Sequence, residues 1–101
     1  MIIYNITVKV GWSIHLEWLQ WMKEIHMPGM LDTGLFNSSR MLRLLAIDDT
    51  EGPTYAVQYS AGNIEQYAVY VEEYQDIQNK KEANKWGNHL VSFSTIMEVV
   101  Q

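Results

Sequence analysis

Cysteine is absent from the 101-residue sequence. That absence excludes disulfides, thiolate nucleophiles and zinc–thiolate sites together. It fits a reducing compartment, so a cytoplasmic setting is expected. Long apolar runs are also missing: no stretch reaches the ~18 residues of a membrane span. The opening Met1-Ile2-Ile3-Tyr4-Asn5 has no basic region before its apolar residues, and the first positive charge is Lys9. Neither a signal peptide nor a membrane partner is therefore expected. Positive charge is scarce, with 7 bases against 12 acids and a net charge of −5. Such a surface repels phosphate backbones, so nucleic acid is not an expected partner. The one basic group, Lys80, Lys81 and Lys85, is interrupted by Glu82. It reads as a complement to a helix dipole. No glycine-rich phosphate loop, nucleophile elbow, internal repeat or low-complexity tract occurs.

What is present is an ordinary globular composition, 48% hydrophobic with aromatics spread along the chain. The length fits one domain over residues 1–101. Residues 3–10 alternate Tyr4, Ile6, Val8 and Val10 with Asn5, Thr7 and Lys9, which predicts a strand ended by Gly11. Ser13 is a candidate N-cap for a helix over Ile14–His26, with an apolar stripe of Ile14, Trp18, Trp21, Met22 and Ile25. Pro28 and Gly29 disturb that helix. A second strand is expected over 40–48, a turn at 49–53 and a third strand over 54–60, the two strands forming a hairpin. Asn63 with Gln66 predicts a capping box. It opens a helix carrying the stripe Tyr67, Tyr70, Tyr74 and Ile77 and ending near Trp86, with Gly87 in the left-handed conformation. A last strand is expected over 89–99. The order β-α-β-β-α-β is that of the split βαβ, ferredoxin-like α+β fold: one antiparallel sheet with both helices on one face.

The helices cover only one sheet face. Tyr4, Ile6, Val8, Tyr55, Val57 and Tyr59 form the natural helix-facing set. The other face then carries Asn5, Thr7, Lys9, Thr54, Ala56, Gln58 and Ser60. Its outer strands add either of two alternate sets: Met41, Arg43, Leu45 and Ile47 or their neighbours in one, Ser92, Ser94 and Ile96 or Val91, Phe93 and Thr95 in the other. A face this neutral suits a lined, partly buried surface better than open water. A homodimer through this open face is the expected partner arrangement.

Arg43 is the most conspicuous candidate for function. Mid-strand between Leu42 and Leu44, its charge must be paired or face a wet cavity. It either pairs with an acid across the dimer or anchors a carboxylate or phosphate ligand. With Thr7 and Gln58 it is expected at the wall of a cavity. His15 and His26 lie eleven residues apart, about three helical turns, too far to share a metal. No metal site and no cofactor are expected. Asp48, Asp49 and Glu51 lack a calcium-loop pattern and read as a solvated turn. Trp12, Trp18, Trp21 and Trp86 suit core or interface anchors. The candidate ligand-binding residues are thus Arg43, Gln58, Thr7, Trp18, His15 and His26. No catalytic residue stands out, and His89 has no specifying neighbours.

Several segments carry a resemblance. Met1–Val10, His15 with Trp18 and Trp21-Met22-Lys23, His26, Arg40–Leu45, Gly52–Tyr59 and Lys85-Trp86-Gly87-Asn88 resemble a bacterial domain-of-unknown-function family of about this length. The resemblance spans essentially the whole chain. It implies the dimeric α+β barrel fold and brings no activity with it. Proteins of that superfamily include cofactor-free antibiotic-biosynthesis monooxygenases, isomerases, haem-handling proteins and amino-acid-sensing domains, an analogy of fold alone. The expected function is a non-enzymatic dimeric module binding a small ligand or a protein. The alternatives are a cofactor-independent monooxygenase or isomerase and a haem-binding protein. The want of an acid–base pair favours the first.

Overall fold

In the computed structural model, which describes residues 1–101, the alternating segments become strands β1 (Ile2–Val10), β2 (Ser38–Arg43), β3 (Thr54–Ala61) and β4 (Leu90–Glu98). They form one antiparallel sheet in the order β2-β3-β1-β4. Helical segments α1 (His15–Trp21) and α2 (Met27–Asp32) follow β1, and α3 (Ile64–Tyr70) and α4 (Asp76–Trp86) follow β3. This is the β-α-β-β-α-β arrangement expected of a ferredoxin-like α+β fold. No helix is long and apolar enough to cross a membrane.

The core lies between helices and sheet. Tyr4, Val8, Val10, Tyr55, Val57 and Tyr59 supply its sheet side, while Trp18, Met22, Met30, Tyr70 and Trp86 supply its helix side. Tyr4 sits at the centre of an aromatic cluster, with ring centroids 5.4 Å from Tyr67, 5.5 Å from Tyr70 and 6.2 Å from Phe36. Such stacked and tilted contacts add to area burial through the ring quadrupoles.

Each helical arm contains a π turn, Met22–His26 in the first and Val71–Gln75 in the second. A π turn holds one residue more than the α-helical turn it replaces, so everything after it is rotated by about 100°. Two sequence expectations fail for this reason. Ile25 belongs to an uninterrupted stripe but is 61% exposed, and its neighbour His26 is buried instead. Ile77 is 54% exposed, while Trp86 closes the core. The π turn also carries the first arm through Pro28, which occupies the first turn of α2, where its missing N–H is harmless.

Other local expectations hold or shift by identifiable causes. The capping box forms: Asn63 Oδ1 accepts from Gln66 N at 2.9 Å, and Gln66 Oε1 accepts from Gly62 N at 2.8 Å. Ser13 makes no cap, because a 3₁₀ turn over Trp12–Ile14 precedes α1. Strand β2 ends at Arg43 rather than residue 48, since Ala46 adopts φ 58° and turns the chain. Gly87 has the expected positive φ of 59°, though its ψ of −133° lies outside the left-handed helical region. Gly52 is required sterically: a Cβ there would lie 1.8 Å from the Val10 carbonyl oxygen.

Candidate functional site

Strand register decides which side chains share a face. Gln58 and Ala56 pair with Arg40 and Leu42 on β2, and Asn5 and Thr7 pair with Thr95 and Phe93 on β4. The open face therefore carries Arg40, Leu42, Ala56, Gln58, Asn5, Thr7, Phe93 and Val91. Arg43 pairs with Tyr55 and lies on the helix-facing side. The expectation that Arg43 joins Thr7 and Gln58 is corrected: two residues three apart in a strand must oppose one another, and Arg40 takes the open face.

On that open face a hydrogen-bonded row crosses the sheet. Arg40 Nε donates to Gln58 Oε1 at 3.0 Å, Gln58 Nε2 to Asn5 Oδ1 at 3.2 Å, and Asn5 Nδ2 to Thr7 Oγ1 at 3.1 Å. Beside it, the Ser38 and Ser60 hydroxyls bond to one another. Arg40 and Gln58 also border a shallow hollow of about 320 Å³ with Met1, Ile3 and Val99.

Arg43, His15 and Trp18 meet elsewhere, around Tyr55. His15 Nε2 and the Tyr55 hydroxyl are 2.6 Å apart, and Trp18 lies with its ring 5.2 Å from Tyr55. Arg43 reaches Asp49 at 3.4 Å and the Trp12 ring at 6.0 Å. Desolvation and then the Arg43 charge hold His15 below the usual histidine range. Trp18 is a core residue. His26 is separate again: it stacks on Trp21 at 4.8 Å, and burial, helped by Lys81, lowers its pKa to about 4. The six sequence candidates thus divide among three places. No three His, Asp or Glu side chains come together as metal ligands.

A cleft of about 460 Å³ opens instead between α4, β1 and β4. Helix α4, reading Asp-Ile-Gln-Asn-Lys-Lys-Glu-Ala-Asn-Lys-Trp, buries only Trp86. It meets an edge strand whose helix-facing residues here are Ser92 and Ser94, so neither surface has the bulk to seal the gap. Gln75, Asn79 and Glu82 line one wall, and Tyr4, Ile6, Leu90, Ser92 and Ser94 line the other. Gln75 Nε2 approaches the Tyr4 hydroxyl at 3.4 Å. Glu82 is the only charged residue of the lining. Desolvation raises its pKa above the usual carboxylate range. Its charge in turn helps raise the phenols of Tyr4, Tyr59 and Tyr70, for which burial is the larger cause.

Sequence reading missed Gln75, Asn79 and Glu82. Their signal is a polar stripe at i, i+4 and i+7 where the tyrosine stripe Tyr67–Tyr70–Tyr74 would otherwise continue, visible only once the π turn is known. Next to the phenol cluster, the Tyr59 hydroxyl is buried with no hydrogen-bond partner. Tyr59→Phe is therefore expected to raise the unfolding free energy by about 1–3 kcal/mol, the cost of an unsatisfied buried polar group. An unchanged or lowered urea midpoint would mean that this hydroxyl has a partner in solution.

Comparison with known structures agrees with this architecture. A protein of the ethyl tert-butyl ether degradation (EthD) family from Bacillus halodurans C-125 superposes with a TM-score of 0.66 at 11% identity, covering 99% of this chain and 100% of that one. A Deinococcus radiodurans protein described as a candidate antibiotic biosynthesis monooxygenase gives 0.61 at 13% identity, covering 100% and 94%. At these identities the likeness is one of fold alone. Among curated proteins none matches the chain. The model of the domain of unknown function family DUF4286 matches residues 1–100, and the chain belongs to that family.

Proposed function

We propose that the protein is a homodimeric small-molecule-binding module, joined through its open sheet faces and holding one ligand per protomer in the cleft between α4 and β1–β4. The cleft carries this reading. Its volume of about 460 Å³ lies in the range of small-ligand sites, and its lining mixes apolar walls with a few converging polar groups. The dimer is supported by the open face itself. There Leu42, Val91, Phe93 and Met97 are exposed around a polar row that is already internally hydrogen-bonded. Such a face loses little by leaving water. The family fold supports the same pairing, and a second sheet stacked on the first would cover the hollow beside Arg40.

A second reading, a cofactor-independent oxygenase or isomerase, is favoured by one observation: a desolvated carboxyl, Glu82, and a phenol, Tyr4, line the same cleft. The described monooxygenase among the structural relatives agrees with it at the level of fold. A haem-binding role finds less support, because the lining contains no histidine, methionine or cysteine.

Two measurements on the full chain test the binding reading. Light scattering coupled to gel filtration is expected to give twice the 11.8 kDa chain mass. Amide NMR shifts during titration with one-ring aromatic fragments, cationic, neutral and anionic, are expected to cluster at Gln75, Asn79, Glu82, Ser92 and Ser94. A one-chain mass at all concentrations defeats the dimer. Shifts confined to the His15–Tyr55–Arg43 corner, or absent for every fragment, defeat the cleft.

A further inference from the structure

Glu82 stands in an unusual position for a carboxylate. It is half-buried in the cleft wall, yet the ion pairs of the chain are Lys9–Glu51, Arg43–Asp49 and Lys80–Asp76. Three lysines share its helix, and none forms an ion pair with it. Lys80 bonds Asp76 at 3.1 Å, Lys81 is near enough to His26 for its charge to act there, and Lys85 lies 5.0 Å over the Trp86 ring. Desolvation is the one influence on Glu82's ionisation, with no hydrogen bond or cation offsetting it. Buried charges are ordinarily paired, because an unpaired one forfeits hydration without return.

The rest of the lining says what kind of partner is missing. Gln75, Asn79, Ser92 and Ser94 all have oxygens able to accept hydrogen bonds, and Tyr4 borders them, its hydroxyl near Gln75. Neither lysine, arginine nor histidine lines the cleft, so a carboxylate or phosphate ligand would meet only a like charge. An ammonium group would find a counter-ion and several acceptors.

We propose that the cleft is selective for an organic cation, a protonated amine on a compact apolar body, with Glu82 as its counter-ion. This rests on the cleft being the binding site and deepens that reading by fixing the charge of the ligand. Binding requires the carboxylate form. The groups near Glu82 are the phenols Tyr4 on β1, Tyr59 on β3 and Tyr70 on α3. All three stay neutral where Glu82 titrates. Affinity for an amine therefore falls as the pH drops through the raised Glu82 pKa, with no opposing titration from the sheet side.

The test uses three probes of one shape on the full chain: tyramine (cationic), tyrosol (neutral) and 4-hydroxyphenylacetate (anionic). Calorimetry at pH 7 is expected to rank tyramine first. Glu82→Gln is expected to weaken tyramine by about tenfold or more and tyrosol by much less. The same variant should unfold at a higher temperature than the parent without ligand, because it removes a desolvated charge. That result separates a lost counter-ion from a damaged fold. Tyrosol binding in the cleft as tightly as tyramine, indifferent to Glu82→Gln, overturns the charge selectivity but leaves the cleft as the site. No cleft shift with any probe overturns both.

Discussion

Acidification from pH 6.5 towards pH 4 is expected to remove roughly 3 kcal/mol of stability, most of it through His26, whose pKa falls from 6.5 to about 4 on folding. His26 is 7% exposed, stacked on Trp21, and its neighbouring charge is the cation Lys81. A protonated imidazole there would lose water and gain a like charge. Because the folded state holds the proton less tightly than the unfolded chain, the unfolded state binds more protons within this window. Stability therefore rises with pH through it and is lost as the pH falls to the folded value. His15, also lowered, acts in the same direction. Glu82 acts oppositely: its pKa is raised on folding, so its contribution favours the acid side and is lost as the pH rises. His26→Phe keeps an aromatic ring on Trp21 and removes the titration. Urea unfolding at a series of pH values is expected to show a steep slope below pH 6.5 in the parent and a shallow one in the variant. Parallel slopes would show that His26 titrates normally.

Trp18→Ala is expected to cost roughly 3–5 kcal/mol, the usual range for deleting a large buried aromatic. Marginal stability of about 5–15 kcal/mol leaves a domain little reserve against such a loss. Trp18 is 1% exposed and contacts Tyr55 at 5.2 Å. Its indole N–H is buried without a partner, so part of the residue's worth is already offset. Trp18→Phe should accordingly cost much less than Trp18→Ala. A chemical melt decides the matter: an alanine variant within about 1 kcal/mol of the parent would place Trp18 on a surface, as a ligand contact would be.

How far the sequence could be read follows from the period of each element. Alternation along β1 and β3 assigned Tyr4, Val8, Tyr55, Val57 and Tyr59 to the core correctly, because a strand's period of two admits only one answer once the apolar residues are seen. The capping box at Asn63–Gln66 was equally legible, being a contact among neighbours in the chain. Strand β2 was not. Its residues Arg40-Met41-Leu42-Arg43 carry charge on both faces and little alternation, so register with β3 alone decided which of Arg40 and Arg43 takes the open face. The expectation that Arg43 shares a cavity wall with Thr7 and Gln58 was misplaced for that reason.

By itself the sequence determined the order of elements, the antiparallel sheet with helices on one face, and the absence of thiol chemistry. These follow from local periodicity, composition and the handedness of crossovers. Only the tertiary structure decided the phase of each helix beyond its π turn. No periodicity marks an inserted residue, and its effect is to turn Ile25 and Ile77 outward and carry Glu82 into the cleft wall. It also decided which charges find partners. Lys80 and Lys81 flank Glu82 in sequence, but a helix turns about 100° per residue, so they point away from it, and Lys85, one turn on, lies over the Trp86 ring instead. The carboxylate is thereby left alone in a cleft that its neighbours in sequence give no hint of.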